Sequence, residues 1–199
     1  PSGKVFSKAE LQIVAEVAKE HDLIVVADEV YEEITFDGVQ HISIASLPGM
    51  RDRTVVVSST AKTYSLTGWK VGYTFTSPAL SQAIRNVHQY SVFFTASPLQ
   101  DAMIAALEIG ESYYQDLRHG MLESRDQLAQ ALIDCGWQLS KPRGTYFVTA
   151  DYSNLCKTPD QQLVRRLAEK AGVATIPMST FYPGNASAPQ TWLRFAFCK

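Results

Sequence analysis

The sequence predicts an α/β protein in which a large domain with a mixed, mostly parallel sheet is followed by a smaller α+β domain. Leu23–Ala27 and Thr54–Ser58 are short runs dominated by apolar residues, and polar residues follow each of them. Strands of a parallel sheet that are buried on both faces have this pattern. After Gly110 the pattern changes to a long helical stretch. We therefore expect residues 1–110 to form part of the large domain and residues 111–199 to form the small domain.

The first part of the chain alternates helices with strands. It begins with a helix, because Ser7 and Glu10 form a capping box and apolar residues recur at helical spacing until about His21. The other elements, marked by apolar runs or by a Ser-Pro helix start, are the strands at 23–27, 54–58 and 71–76 and the helices that begin at Ser77-Pro78 and Ser97-Pro98. In open parallel sheets ligands bind at the carboxyl ends of strands, so the residues that follow Ala27 and Val57 are candidate site residues.

The second part mixes the two kinds of element less regularly, which is typical of an α+β domain. Its predicted elements are, in order, a helix over Tyr113–Asp134, strands over Trp137–Ser140 and Gly144–Ala150, a helix over Thr158–Ala171, and strands over Ala174–Pro177 and Thr191–Phe197.

The composition excludes several classes of protein. Eighteen Lys and Arg against 20 Asp and Glu give a formal net charge of −2, whereas a duplex-binding domain usually carries a basic surplus. No apolar run is long enough for a membrane span. The three cysteines are widely spaced and match neither a metal motif nor a disulfide framework. We expect a cytoplasmic protein in a reducing compartment, with no metal and with neither nucleic acid nor membrane as a partner.

The segment that follows the second strand is rich in hydroxyl groups and includes Ser59 and Lys62. From the residues alone it can be a structural loop, a phosphate-binding loop, or the Ser-x-x-Lys acyl-enzyme motif of penicillin-interacting proteins. That last motif also requires Ser-Asp-Asn and Lys-Thr-Gly, and neither tripeptide occurs in the sequence.

Three other residues near the predicted strand ends have a structural and a functional interpretation. Lys70 lies between Gly68 and Gly72, which indicates close backbone approach there, or it is a solvated lysine at a turn. Asp28 ends an apolar strand, where a partly desolvated carboxylate needs a cation or a donor, or it only caps the loop. Tyr31 is three residues further on and can be a packing residue.

Arg194 lies in the last predicted strand, where a period of two places it on one face with Trp192 and Ala196. A guanidinium on such an apolar strand needs an anionic partner, either an internal carboxylate or the carboxylate of a ligand. Lysines, a carboxylate and hydroxyls at neighbouring strand ends together resemble a site for pyridoxal 5′-phosphate, which needs an amine, a partner for its ring nitrogen and phosphate donors.

Several motifs in a consistent order make the chain similar to the fold-type I pyridoxal phosphate-dependent aminotransferases of class I/II, above all to the kynurenine and methionine aminotransferase branch. The motifs are Pro1–Phe6, Ala27–Glu32, Ser59–Ser65, Thr67–Gly72, Val87–Tyr90, Gly144–Phe147 and Leu193–Phe195.

The resemblance assigns a role to each candidate residue. Lys62 would form a Schiff base with the cofactor and move the proton between the Cα of the substrate and C4′ of the cofactor. Asp28 would pair with the pyridinium nitrogen, an attraction on the order of 4 kcal/mol at about 4 Å and an effective dielectric constant near 20. The resemblance also implies that Tyr31 would hydrogen-bond the phenolic oxygen of the cofactor and that Ser59 and Lys70 would hold its phosphate. Arg194 would bind the α-carboxylate of the substrate.

The function implied by the resemblance is transfer of an amino group from an L-amino acid of methionine, aromatic, glutamine or kynurenine type to a 2-oxo acid, in a homodimer with shared active sites. A β-lyase side activity on cysteine conjugates is also implied. The resemblance further implies that the sequence is a fragment that lacks an asparagine ahead of Pro1, the N-terminal half of the large domain and a C-terminal helix. Two alternatives stay open: the effector domain of a transcription regulator, which an upstream basic helix-turn-helix would reveal, and a folded fragment that is inert by itself.

Overall fold

The computed structural model describes residues 2–182, 184 and 187–198, so Pro1 of the opening motif and the last residue, Lys199, lie outside the described residues. The chain forms two compact units. The N-terminal unit consists of Val5–Thr35 and Val39–Leu117, and the C-terminal unit consists of Pro1–Lys4, Phe36–Gly38 and Arg118–Lys199. The helix α5, Glu111–Asp134, runs across this division, so the change of pattern after Gly110 marks the start of a helix.

The sheet of the N-terminal unit has the order β1-β2-β3, with β1 at Val25–Asp28, β2 at Thr54–Ser59 and β3 at Gly72–Phe75. β1 and β2 are parallel, as predicted, and Asp28 is paired with Val57. β3 is antiparallel to β2, so the sheet is mixed, as predicted. The connection from β2 to β3 holds one turn of helix, α2 at Thr60–Thr63, and a 3-10 turn at Thr67–Trp69.

The helix α1, Lys8–Glu20, packs on one face of β1. It begins with the predicted capping box, in which the backbone N of Glu10 donates to Ser7 Oγ and the backbone N of Ser7 donates to the Glu10 carboxylate. Its buried face packs on a short apolar loop in a core made of Leu11, Ala15, Ala18, Ile44, Leu47 and Met50. The two further helices of this unit are α3, Pro78–Ser91, and α4, Ser97–Leu107.

The prediction that the first strand is buried on both faces is wrong for the described residues. Val25 and Ala27 pack against the core, but Val26 on the opposite face of β1 is 70% exposed. The physical reason is that the helix packed on this strand, α1, covers only one face of it.

The C-terminal unit has an α+β fold, as predicted, in which helices pack on one face of an antiparallel sheet. Four strands form an antiparallel sheet in the order β4-β5-β7-β6, at Gln138–Ser140 (β4), Phe147–Asp151 (β5), Ile176–Pro177 (β6) and Trp192–Ala196 (β7). One face of the sheet packs on α5 and on α6, Asp160–Ala171, through a core made of Leu132, Val148, Ala150, Tyr152, Leu193 and Phe195. The opposite face of β5 and β7 carries Phe147 and Arg194.

A buried arginine holds the segment Phe36–Gly38 within the C-terminal unit. Arg125 of α5 is fully buried, and its guanidinium contacts the Asp37 carboxylate, the carbonyl oxygen of Pro142 and the ring of Phe36. Asp126 accepts a further hydrogen bond from Arg125 Nε at 2.9 Å. This ion pair therefore fixes a short segment that is far from α5 in the sequence.

No helix among the described residues is both long enough and apolar enough to cross a membrane.

Candidate active site

Lys62 lies on the single helical turn that follows β2. Ser59 ends β2 and caps this turn, because its Oγ accepts a hydrogen bond from the backbone N of Ala61 at 3.2 Å. The Lys62 side chain is half-buried, and its Nζ lies 5.8 Å from the centroid of the Tyr31 ring. The structure therefore brings together two of the residues that the sequence singled out.

Asp28 ends β1 at the same edge of the sheet. β1 and β2 are parallel and adjacent, so the residues that follow the two strands lie on the same side of the N-terminal unit. Asp28 Oδ1 accepts a hydrogen bond from the backbone N of Val30 at 3.2 Å, which bends the chain into the turn that carries Tyr31. The expectation that Asp28 is partly desolvated is wrong for the described residues, because its side chain is exposed.

Ser59 pairs with Gly72 across β2 and β3, and the two backbones approach closely there. A Cβ on Gly72 would lie 2.9 Å from the carbonyl oxygen of Ser58, so only glycine fits without a shift. The predicted close approach is confirmed at Gly72 but is wrong at Gly68, where a Cβ would meet open space. Lys70 is exposed and has a φ of 57°, a left-handed conformation that is costly for a lysine.

Glu32 joins the ends of β2 and β3, a role that no sequence pattern indicates. Ser58 Oγ donates to the two carboxylate oxygens of Glu32 at 2.7 and 2.9 Å, and the Tyr73 hydroxyl donates at 3.4 Å. Burial raises the pKa of the Glu32 carboxyl above its usual range, although the Ser58 hydrogen bond opposes this shift. The carboxyl group thus holds the turn after Tyr31 against the strand that ends at Ser59.

Glu29 is a second acidic residue that shapes this turn. Its Oε1 accepts hydrogen bonds from Ser43 Oγ at 3.0 Å and from the backbone N of Ile44 at 3.3 Å. Its Oε2 lies 2.9 Å from His41 Nε2, and this contact raises the pKa of His41 above its ordinary value. Glu29 therefore ties the residue after Asp28 to the loop that follows it.

Two tyrosines of α5 hold the end of α2. Tyr113 donates to the carbonyl oxygen of Thr63 at 2.7 Å, and the hydroxyls of Tyr64 and Tyr114 lie 2.6 Å apart. The rings of Tyr64 and Tyr113 are stacked with centroids 5.7 Å apart. Burial raises the pKa of Tyr64 and of Tyr113, so both hydroxyls stay neutral and can donate. This cluster positions the helical turn that carries Lys62.

Arg194 lies in the C-terminal unit on β7, where it pairs with Thr149 of β5. The register of this strand confirms that Arg194 shares a face with Trp192 and Ala196. Its guanidinium carbon lies 3.9 Å from the centroid of the Phe147 ring and 4.9 Å from that of Phe181. The sequence suggested an anionic partner for this arginine, and it did not indicate these two rings.

The donors at the edge of the N-terminal sheet fit the groups that pyridoxal 5′-phosphate requires. Lys62 has the amine, Asp28 the carboxylate and Tyr31 the phenol that the ring and the aldehyde of the cofactor require. The hydroxyl of Ser59 and the ammonium group of Lys70 are the kinds of group that bind a phosphate. The Glu32 and tyrosine contacts hold the segments that carry these donors.

Comparison with known proteins relates the chain to one family. A family model described as aminotransferase class I and II matches residues 1–199. The kynurenine–oxoglutarate transaminase of Dictyostelium discoideum is 39% identical over 220 residues, which cover 100% of this chain and 51% of that protein. The methionine aminotransferase of Escherichia coli is 36% identical over 199 residues, which cover 100% of this chain and 51% of that protein.

Solved structures show the same fold. N-succinyldiaminopimelate aminotransferase from Mycobacterium tuberculosis superposes with a TM-score of 0.95 at 37% identity, over 100% of this chain and 52% of that one. The methionine aminotransferase structure from E. coli gives a TM-score of 0.92 at 36% identity, over 99% of this chain and 51% of that one. The chain thus spans about half the length of the relatives that it matches. From its sequence, its fold and its site, the chain belongs to the class I and II aminotransferases, a family that depends on pyridoxal 5′-phosphate.

Proposed function

We propose that the whole protein is an aminotransferase that moves an amino group from an L-amino acid to a 2-oxo acid with the help of pyridoxal 5′-phosphate. The observation that carries this proposal is the position of Lys62 Nζ, 5.8 Å from the Tyr31 ring centroid at the strand edge where Asp28 and Ser59 also lie. The donor is of methionine, aromatic, glutamine or kynurenine type. Of these, the kynurenine and methionine types are supported by the names of two relatives.

In this proposal each residue has one task. The cofactor, when bound, withdraws electrons from the Cα of the substrate. Lys62 would hold the carbonyl carbon of the cofactor through its amine. Once the substrate amine has displaced it, the free Lys62 amine would take the proton from the substrate Cα and deliver it to C4′ of the cofactor. Asp28 keeps a proton on the ring nitrogen, and Tyr31 donates a hydrogen bond to the phenolic oxygen.

The two ends of the ligand are held by the remaining residues. Ser59 and Lys70 bind the phosphate through a hydroxyl and an ammonium group. Arg194 binds the α-carboxylate of the amino acid and later that of the oxo acid, because a guanidinium matches a carboxylate through two parallel hydrogen bonds.

We also propose that the whole protein is a cytoplasmic homodimer. Large apolar side chains are exposed near the end of α3, where Tyr90 is 88% exposed and Phe93 is 70% exposed. An apolar patch of this kind is commonly covered in an assembly. The test uses the whole protein as its gene encodes it, called the gene-encoded protein below. Sedimentation of this protein at a dimer mass supports this part of the proposal, and a monomer mass contradicts it.

The assignment of Lys62 is tested by reducing the gene-encoded protein with borohydride in the presence of the cofactor and locating the modified lysine by mass spectrometry. We expect a pyridoxyl group on Lys62, and we expect its loss together with aminotransferase activity in Lys62→Ala. Lys8→Ala, which changes an exposed lysine at the start of α1, is the matched control and should behave as the wild type. Modification of another lysine with full activity in Lys62→Ala contradicts the proposal.

The alternative of an effector domain in a transcription regulator is not favoured, because the relatives are named as enzymes. Binding of the gene-encoded protein to DNA in a mobility-shift assay would reverse this preference.

A further inference from the structure

The guanidinium of Arg194 lies over two aromatic rings. Phe147 contacts it at 3.9 Å and Phe181 at 4.9 Å, both measured from the guanidinium carbon to the ring centroid. These distances are within the range of cation–π contact. We infer that Phe147 and Phe181 are positioning residues, which fix the plane of the Arg194 guanidinium and thereby set the affinity of the site for the carboxylate group of its substrates. The inference rests on the proposed function, in which Arg194 binds that carboxylate.

The sheet register places the first ring. Arg194 is paired with Thr149, and Phe147 is paired with Ala196, so Phe147 is the diagonal neighbour of Arg194 on the same face. Diagonal neighbours in an antiparallel pair are within reach of aromatic and long side chains. The stacking contact is therefore built into the pairing of β5 with β7.

The backbone before Phe147 is held in an unusual conformation. Thr145 has a φ of 65°, which is costly for a β-branched residue, and its Oγ1 accepts a hydrogen bond from the backbone N of Phe147 at 3.3 Å. Such strain persists only where the surrounding structure determines it, and it is concentrated at functional sites. The turn thus sets the position at which Phe147 enters β5.

The second ring comes from a different element. Phe181 ends the 3-10 turn Met178–Phe181, which follows β6, and β6 pairs with β7 so that Ile176 is opposite Arg194. Phe181 is 41% exposed and is not among the buried residues of the core of this unit. Its ring is available to the guanidinium of Arg194, which it contacts at 4.9 Å.

Stacking suits a carboxylate receptor for a physical reason. A ring contacts the face of the guanidinium and uses none of its N–H donors, which all point outward in the plane. A carboxylate binds in that plane through two parallel hydrogen bonds. A guanidinium whose rotamer is already fixed loses less conformational entropy when the ligand binds, so the rings raise affinity without competing for donors.

The test uses Phe181→Leu in the gene-encoded protein with its cofactor, because this exposed position tolerates the change. We expect the dissociation constant of an unreactive monocarboxylic acid, followed through the cofactor absorbance, to rise about three- to tenfold. KM for the amino acid and for the oxo acid should rise by the same factor while kcat stays within about twofold. Phe181→Tyr keeps the ring and should restore the wild-type values.

Tyr182→Leu is the matched control, since Tyr182 is the adjacent aromatic residue and is 42% exposed. It should leave the carboxylate affinity unchanged. In protein labelled with ¹⁵N at arginine, the Nε–Hε resonance of Arg194 should lose part of its ring-current shift in Phe181→Leu but not in Tyr182→Leu. This readout is independent of enzyme activity.

The outcomes separate this inference from the proposed function. If Arg194→Gln leaves the carboxylate affinity unchanged, the role of Arg194 in the proposed function is wrong, and the inference is wrong with it. If Arg194→Gln abolishes binding while Phe181→Leu binds as the wild type, only the inference is overturned. An equal loss of affinity in Tyr182→Leu also overturns it.

Discussion

The Arg125 guanidinium donates two parallel hydrogen bonds to the Asp37 carboxylate, at 2.7 and 3.0 Å. Arg125 is fully buried on α5, whereas the Asp37 side chain is 39% exposed on the segment that it anchors. A buried guanidinium without an anionic partner is costly, so the pair holds this segment in the C-terminal unit.

The first prediction is that Asp37→Asn destabilises the protein. Removal of one partner of a fully buried ion pair costs about 3–5 kcal/mol, but Asp126 still contacts Arg125 and Asp37 is partly exposed, so we expect about 1–3 kcal/mol. The free energy of unfolding in urea measures this loss. Asp116→Asn, which changes an exposed residue of α5, is the control and should shift the free energy of unfolding by less than about 0.5 kcal/mol. Equal effects of the two variants would contradict the prediction.

The second prediction concerns the pH dependence of this pair. The hydrogen bonds from Arg125 lower the pKa of Asp37 below its ordinary value of 3.8. The unfolded chain therefore binds the proton more readily, and the stabilisation is fully present above about pH 4 and is lost as the pH falls through the folded-state pKa. The difference in unfolding free energy between wild type and Asp37→Asn should be constant from about pH 7 to pH 5 and should shrink below about pH 4. A difference that stays constant to about pH 2 would refute this linkage.

The third prediction concerns Glu32, whose pKa shift has the opposite sign. Burial raises the folded-state pKa of this carboxyl above its ordinary value of 4.5. Ionisation of Glu32 therefore reduces stability as the pH rises from the ordinary pKa through the folded-state pKa. Glu32→Gln keeps an oxygen acceptor for Ser58 and cannot ionise. Its stability relative to wild type should therefore increase from about pH 4 to pH 7, as measured by urea unfolding at each pH. Glu32→Ala, which leaves the Ser58 and Tyr73 hydroxyls without this acceptor, should be less stable than Glu32→Gln by about 1–3 kcal/mol.

The fourth prediction uses the two glycines that flank Lys70. Gly72→Ala places a Cβ 2.9 Å from the Ser58 carbonyl oxygen and should displace Ser59, whereas Gly68→Ala enters open space. We expect Gly72→Ala to weaken cofactor binding by the gene-encoded protein about tenfold or more and to cost about 1–3 kcal/mol of stability. Equilibrium dialysis of the cofactor and urea unfolding measure the two effects. Gly68→Ala should match the wild type in both, and a loss of the same size in this variant would exclude the steric explanation.

Much of this architecture could be predicted from the sequence because the signals are local. The capping box at Ser7 and the apolar run that ends at Asp28 depend on neighbouring residues, and both are found where they were expected. The direction of β3 could not be predicted from its own apolar pattern, which is the same for a parallel and an antiparallel strand. Only the pairing of β3 with β2 in three dimensions defines that direction.

The candidate site divides in the same way. Lys62 and Tyr31 could be singled out because they follow predicted strands, and the structure brings them together. Glu32 could not, because its partners Ser58 and Tyr73 are distant in sequence and meet it only through strand pairing. The rings beside Arg194 were missed for a related reason, since the contact with Phe147 depends on the register of β5 and β7.

The helical turn α2 is too short to be stable by itself, since isolated helices of such length do not persist in water. Its end is held by Tyr113 through the carbonyl oxygen of Thr63 and by Tyr114 through the hydroxyl of Tyr64. The site of the lysine is thus specified partly by a helix that lies 50 residues further along the chain. We therefore expect Tyr64 and Tyr114 to covary across relatives, because a substitution at one of them removes the hydrogen-bond partner of the other.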